Sequence, residues 1–466
     1  MYKYIICALL CTTNIGVGFA QPTFKKLKIS DNGRYINYDD NTPFFWLGDT
    51  AWELFARLSR QDADLYLTDR AQKGYTVIQA VAWAELDSAM VPNVYGDIPF
   101  NNNNPLTPNE KYFQHIDYVV NKAQSLGIYI ALLPTWGDKI LKKWGNGPEV
   151  FTPQNAYKYA QWIAKRYAKK PIIWVVGGDR NPENDRVYNI LTAFGNGLKT
   201  VCGTSQLVTF HPQGNSASAT FFHDQTWLDI NMVQSGHGKK DFPNYLFMSA
   251  NYILKPTKPT LDGEPRYEDL PVKWWVYKHP QGWEYNTISA GDTNFKMGWF
   301  TDNDVRKAAY MSMMAGACGH TYGHNSIWQM WQPKYKANIP VVCTWKEALS
   351  KPGGMQMGYM KKFFQSFDWQ SCIPAQHMIN ENWTTCEDYN MAMEYINHGL
   401  IAAYSSVGKP ISIYTQKIPG SKLKISWYDP RKGEFIKTEI IQKNTITELK
   451  MPAEGTDWAI IIAPEI

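Results

Sequence analysis

Ile172-Ile173-Trp174-Val175-Val176-Gly177-Gly178-Asp179-Arg180-Asn181 is an apolar run of strand length that stops at two glycines and a carboxylate. Pro259-Thr260-Leu261-Asp262-Gly263-Glu264-Pro265-Arg266-Tyr267-Glu268 ends in the same way. A strand buried on both faces reads as a continuous hydrophobic run, as strands of parallel sheets do. In a barrel of parallel strands such runs end at the C-terminal rim, where these barrels carry their chemistry. Both segments therefore place an acid, Asp179 and Glu264, on one rim.

Working outward, further runs of the same kind cover 44–48, 76–82, 128–134, 206–210, 230–234, 258–261 and 320–322. With 172–177 they number eight, the count a closed (β/α)8 TIM barrel needs. Amphipathic stretches at 61–73, 112–126, 153–169, 184–200 and 304–317 lie between them, with apolar residues at three- and four-residue spacing. Glycines at 74 and 127 stop two of these helices. Lys28–Ser30 and Tyr35–Tyr38 read as a hairpin around Asn32-Gly33. Past about residue 370 the pattern changes to short alternating runs at 391–396, 400–404, 411–414, 423–428, 434–438 and 458–462, set apart by turn signals. The expected class is α/β, a TIM barrel over 21–368 followed by an antiparallel β-sandwich over 369–466.

The first 20 residues read as a secretory signal. Lys3 precedes the apolar run 4–11, and Gly18 and Ala20 supply small residues for cleavage before Gln21. The run is too short to span a bilayer. Cys11 leaves a lipoprotein open as the lesser alternative, because Ala8-Leu9-Leu10 lacks a small residue beside the cysteine. A secreted or periplasmic location is expected. Of seven cysteines, five follow the cleavage point, widely scattered and without metal-ligand spacing. A Cys372–Cys386 bridge and buried free thiols both remain open readings.

A net charge of +5 with no basic block gives no reason to expect a nucleic-acid partner. The unusual feature is 19 Trp and 28 Tyr in a chain with 19% charged residues. Flat rings with polar edges suit sugar faces, although a large aromatic core accounts for many of them.

Two carboxylates converging from different strands satisfy the demands of glycosidic cleavage: one protonates the leaving oxygen, the other meets the sugar cation. Glu264 stands beside Arg266 and Tyr267, groups that could hold it ionised as a nucleophile. Asp179 follows an apolar strand, where desolvation would raise its pKa and suit a proton donor; an inward-pointing Arg180 would oppose this. Asp49, in Trp46-Leu47-Gly48-Asp49-Thr50-Ala51-Trp52, ends the first strand and could grip a sugar diol or cap a helix. Asp262 and Glu268 read as supporting residues. Trp52, Trp83, Trp136, Asn181, His211, Gln234, His237, His324 and Trp328 fall at other strand ends and complete a polar, aromatic cleft. His320 and His324 have a spacing that suits zinc only on a helix, and Gly319 and Gly323 argue for strand and loop; no metal is expected. Gly177-Gly178 and Gly353-Gly354 form no phosphate-cradling pattern, so no nucleotide cofactor is expected either.

The segments 46–52, Gly178-Asp179-Arg180-Asn181 and Asp262–Glu268 together resemble the apiosidase-like glycoside hydrolases, family 140, over about residues 24–365. Trp427-Tyr428-Asp429-Pro430-Arg431-Lys432-Gly433 is similar to the β domain that follows the barrel in these proteins and carries a collagen-binding label. The resemblance implies a clan A barrel with Asp179 as acid/base after strand four and Glu264 as nucleophile after strand seven. It also implies action on apiosyl linkages in the rhamnogalacturonan II side chains of plant pectin. Where the clan commonly has Asn-Glu, this chain has Gly178-Asp179, and the shorter acid suits a compact sugar. A retaining course predicts about 5–5.5 Å between the two carboxyl groups. A barrel glycosidase of other specificity, set by the loops 85–106 and 211–227, and a non-catalytic carbohydrate-binding protein are the alternatives. The oligomeric state is not legible.

Overall fold

A computed structural model describes residues 24–84, 91–382 and 388–465. The signal segment, Cys386 and the first six residues of the 85–106 loop lie outside them. The barrel strands are Trp46–Thr50 (β1), Val77–Val81 (β2), Tyr129–Leu133 (β3), Ile172–Gly177 (β4), Val208–His211 (β5), Asn231–Gln234 (β6), Thr260–Asp262 (β7) and Gly319–Tyr322 (β8). All eight fall where the apolar runs predict. They pair in parallel in the order β5-β4-β3-β2-β1-β8-β7-β6. Closure between β5 and β6 rests on one bridge, Thr209 to Ile230. There the Thr209 hydroxyl donates to the Ile230 carbonyl at 2.8 Å, and the Asp229 N–H donates to the Val208 carbonyl at 2.8 Å. A two-residue antiparallel strand, Ser216–Ala217, lies along β6.

The crossover helices are Arg60–Gln72 (α1), Glu110–Ser125 (α2), Pro153–Arg166 (α3), Asp185–Cys202 (α4), Asn244–Tyr252 (α5), Asp302–Met314 (α6) and Pro352–Phe364 (α7). Their starts are written in the sequence: Ser59, Asn109, Thr152 and Asn184 each accept a first-turn backbone N–H through the side chain. Thr152 with Asn155, and Thr301 with Asp304, close reciprocal caps. The helices α5 and α7 were not among the expected ones; 244–252 and 352–364 are short or glycine-rich and show little periodicity.

The C-terminal unit has strands Cys372–Pro374 (β9), Met391–Tyr395 (β10), Ile401–Ser405 (β11), Ile411–Tyr414 (β12), Lys422–Asp429 (β13), Glu434–Gln442 (β14), Ile446–Leu449 (β15) and Trp458–Pro464 (β16). Six form an antiparallel sheet in the order β9-β10-β11-β16-β13-β14, and β12 pairs with β15 as a second small sheet, with one bridge from Ile413 to Ile379. Ile411, Ile413 and Leu449 from the small sheet share a core with Ile401, Leu423, Ile425, Trp427 and Ile460 from the large one. The result is a lopsided sandwich. Its other face joins the barrel: Tyr310 of α6 stacks on Tyr404 at 4.7 Å, and Tyr245 of α5 on Tyr389 at 4.6 Å. Arg306 of α6 meets Asp457 through two bonds of 2.6 and 2.7 Å, both side chains being buried. No helix of the described residues is long and apolar enough to cross a membrane.

Candidate active site

At the end of β4 the chain makes a turn that only these residues allow. Gly177, Gly178 and Asp179 take φ of +84°, +137° and +50°. A Cβ on Gly178 would lie 2.7 Å from the Trp136 ring and 3.2 Å from the Gly137 nitrogen. Gly178→Ala should therefore cost about 1–3 kcal/mol and lower turnover by displacing Asp179, as thermal unfolding and initial rates on a cleaved substrate would read. The Asp179 N–H donates to His211 Nδ1 at 3.2 Å. Its Oδ2 accepts from Trp144 Nε1 at 3.1 Å and from Arg180 at 3.2 Å. Burial raises the Asp179 carboxyl above the usual range, and the negative Glu264 adds to this. Arg180, His211 and a hydrogen bond from the Gln234 side chain oppose the rise without cancelling it.

Glu264 follows β7 and is bracketed by two histidines. His237 Nε2 hydrogen-bonds Oε1 at 3.0 Å, and His211 Nε2 lies 2.9 Å from Oε2. Burial pushes this carboxyl up, yet the contacts and charge of His211 and His237 outweigh it and hold it at about 2. The His211 ring, whose Nδ1 also lies 2.9 Å from the Pro212 carbonyl, sits between Glu264 and the Asp179 backbone and links the two acids through one buried side chain. One carboxyl is thus pushed towards its neutral form and the other held ionised in a single cleft.

That cleft encloses about 540 Å³ and is lined by Asp179 and Glu264 with Trp52, Trp136, Gln234, His237, Tyr267 and Trp328, all expected from the sequence. His211 lies beneath it, its ring 5.4 Å from Trp52 and 5.7 Å from Trp136. Other expected residues do not reach the lining. Asp49 is fully buried on the outside of β1, bonded to Arg70 at 2.5 Å and Tyr66 at 2.6 Å of α1; it secures a helix to the barrel and is placed for no sugar contact. Trp83 packs on Phe100 and Phe151. Arg266 turns away from Glu264 and donates to the Asp304 and Phe242 carbonyls. Asn181 accepts the Gln213 N–H at 2.9 Å, tying the loops after β4 and β5 together. His324 caps the short helix Asn325–Trp328 through Nδ1, and its Nε2 lies 3.3 Å from Asp269, which also pairs with Lys351. Asp262 accepts from Ser235 and Asn244 and is supporting, as read.

Sequence reasoning missed a whole wall: Trp144, Gln213, Asn215, Trp274, Trp275 and Lys278. The available signals were Trp144 in the polar stretch Lys142-Lys143-Trp144-Gly145-Asn146 and the adjacent pair Trp274-Trp275, tryptophans that no strand or helix pattern absorbs.

Residues 30–371 match the family model described as "Apiosidase-like, catalytic domain", and residues 373–463 match "Putative collagen-binding domain of a collagenase". No curated protein matches the chain. Among solved structures, a glycoside hydrolase family 5 protein from Bacteroides vulgatus ATCC 8482 is 30% identical, with a TM-score of 0.82 over 94% of this chain and 93% of that one. A structure titled "Glycoside hydrolase" is 31% identical, with a TM-score of 0.81 over 95% and 97%. A family 5 mannosidase from Rhizomucor miehei, 13% identical with a TM-score of 0.50 over 72% and 96%, shares the fold. With a TIM barrel, two differently poised acids on its rim and a catalytic-domain match over most of its length, the chain belongs to the apiosidase-like family of glycoside hydrolases.

Proposed function

We propose that this glycoside hydrolase is secreted and cleaves apiosyl linkages in rhamnogalacturonan II side chains of plant pectin, with retention of configuration. The observation that carries the roles is the opposite poise of two acids in one cleft: Glu264 held ionised by His211 and His237, Asp179 pushed towards its protonated form. Glu264 attacks the anomeric carbon while Asp179 gives its proton to the departing glycosidic oxygen, leaving a glycosyl ester on Glu264. Asp179, now a carboxylate, takes a proton from water as that water attacks the same carbon, and Glu264 departs ionised. Trp52, Trp136 and Trp328 supply apolar faces for the ring, and Gln234 offers an amide to its hydroxyls. The family match supports the apiosyl substrate, and the short side chain of Asp179 suits a compact furanose.

The pH profile follows from the two acids. Turnover needs Asp179 protonated, so kcat/KM should fall as pH rises through its raised pKa. It needs Glu264 ionised, and with that carboxyl at about 2 no loss from this group is expected until strongly acid pH. A kcat/KM profile from pH 3 to 9 would check this, a decline on the alkaline side only being expected. The substrate is tested by mass spectrometry of products from rhamnogalacturonan II side chains, with Glu264→Gln and Asp179→Asn alongside. Release of an apiose-terminated fragment by wild type alone would support site and substrate together. No cleavage would return the specificity to the loops. Proton NMR of the first-formed anomer reads retention directly.

A further inference from the structure

We propose that Trp144 is the positioning residue of the proton donor: its indole N–H decides which oxygen of Asp179 carries the proton, and its exposed ring walls the space for the leaving-group sugar. This rests on Asp179 acting as the acid.

A carboxyl group has two oxygens, and here they are not equivalent. Oδ2 faces two N–H donors, Trp144 Nε1 at 3.1 Å and Arg180 at 3.2 Å. An oxygen that receives two donors is held in its acceptor form, because a proton placed there would oppose both. The labile proton is therefore left to Oδ1, the oxygen that neither Trp144 nor Arg180 engages.

Trp144 is equipped to hold that bond. Its side of the cleft is a loop with little freedom. Arg180 Nε and a terminal nitrogen donate to the Leu141 and Lys142 carbonyls at 2.9 and 3.1 Å. Asp138, buried against Lys139, accepts the Gly147 N–H at 2.8 Å. A Cβ on Gly145 would lie 2.3 Å from the Asp138 Cβ, so the backbone passes in contact with that buried pair. The Arg180 guanidinium lies 4.3 Å from the indole centroid. Yet the indole remains 56% exposed at the mouth of the cleft. A large ring kept in water on a pinned backbone makes sense when something else covers it. The covering group is defined by the reaction: the oxygen that takes the proton of Asp179 belongs to the leaving sugar, so that sugar lies beside Asp179 and hence beside Trp144. Gln213 lines the same side and is bonded to Lys143 at 3.1 Å.

The test compares Trp144→Phe, which keeps a ring but loses the donor, with Trp144→Ala, which loses both. Carbon-13 NMR of labelled aspartate carboxyls, with the Asp179 signal assigned from Asp179→Asn, needs no substrate. Loss of one donor to the carboxylate should raise the Asp179 midpoint by about one pH unit in Trp144→Phe. The alkaline limb of kcat/KM should move with it, on whichever glycoside wild type turns over, while KM changes little. In Trp144→Ala the midpoint should rise equally and KM should increase roughly tenfold. An unmoved midpoint in Trp144→Phe overturns the positioning role, and an unmoved KM in Trp144→Ala overturns the wall. Full activity in Asp179→Asn would instead overturn the assignment on which both depend.

Discussion

Replacing Glu264 by glutamine should lower kcat by at least about 10³-fold in the protein that remains folded. The substitution keeps the shape of the side chain and an oxygen for His237 Nε2, which bonds Oε1 at 3.0 Å. What it removes is the anionic nucleophile. A purely structural role would leave near-normal turnover in the folded fraction. Asp179→Asn should differ in kind: an activated aryl leaving group, which needs no proton, would recover much of its first step. Retention of a tenth or more of wild-type turnover by Glu264→Gln would remove this residue from the reaction.

The second large effect lies far from the cleft. Asp457→Ala should destabilise the whole chain by about 3–5 kcal/mol, the range for leaving one partner of a buried ion pair alone. Asp457 is completely buried and receives Arg306 through two bonds of 2.6 and 2.7 Å and the Tyr404 hydroxyl at 2.8 Å. Arg306 belongs to α6 of the barrel, and both Tyr404 and Asp457 to the sandwich. Its guanidinium also holds Gln356 of α7 at 2.6 Å. Denaturant unfolding should show the loss as one displaced transition, because both units share one hydrophobic cluster. Arg306→Met combined with Asp457→Leu should recover part of the stability lost in either single variant. Two separated transitions in wild type would show that the units unfold independently.

Most of the eight strands were legible because each is an apolar run closed by glycine, proline or a polar residue, as a strand buried on both faces tends to be. The same rule located Asp179 and Glu264 by their place after β4 and β7. It did not show direction. Asp49 occupies an equivalent position on β1, yet it projects outward to Arg70 and Tyr66, while Trp46 and Gly48 approach Thr321. Alternation along the strand separates these positions, but the partner that makes Asp49 structural is a helix away in sequence. Arg266 is similar, since the carbonyls it serves belong to the start of α6 and to the segment just before α5, distant in sequence. The wall formed by Trp144, Trp274, Trp275 and Lys278 was illegible for another reason: it is carried on loops, which have no periodicity to read. In the sandwich, β9 is only three residues long, too short for alternation to register.

The single bridge that closes the barrel between β5 and β6 gives the molecule an uneven resistance to local opening. The β7–β8 pair is as short, Asp262 with His320, but the other neighbouring strands share longer ladders, such as the five residue pairs of β2 with β3, whereas this seam rests on Thr209 and Ile230. Backbone amides along it would be among the first of the barrel to exchange with solvent, at a free energy well below that of global unfolding. The seam ends at His211 on one side and Gln234 on the other, so fluctuation there reaches the ring that links the two acids. A ligand that bridged the ends of β5 and β6 would close the seam as it bound, and its affinity would include the work of quieting that motion.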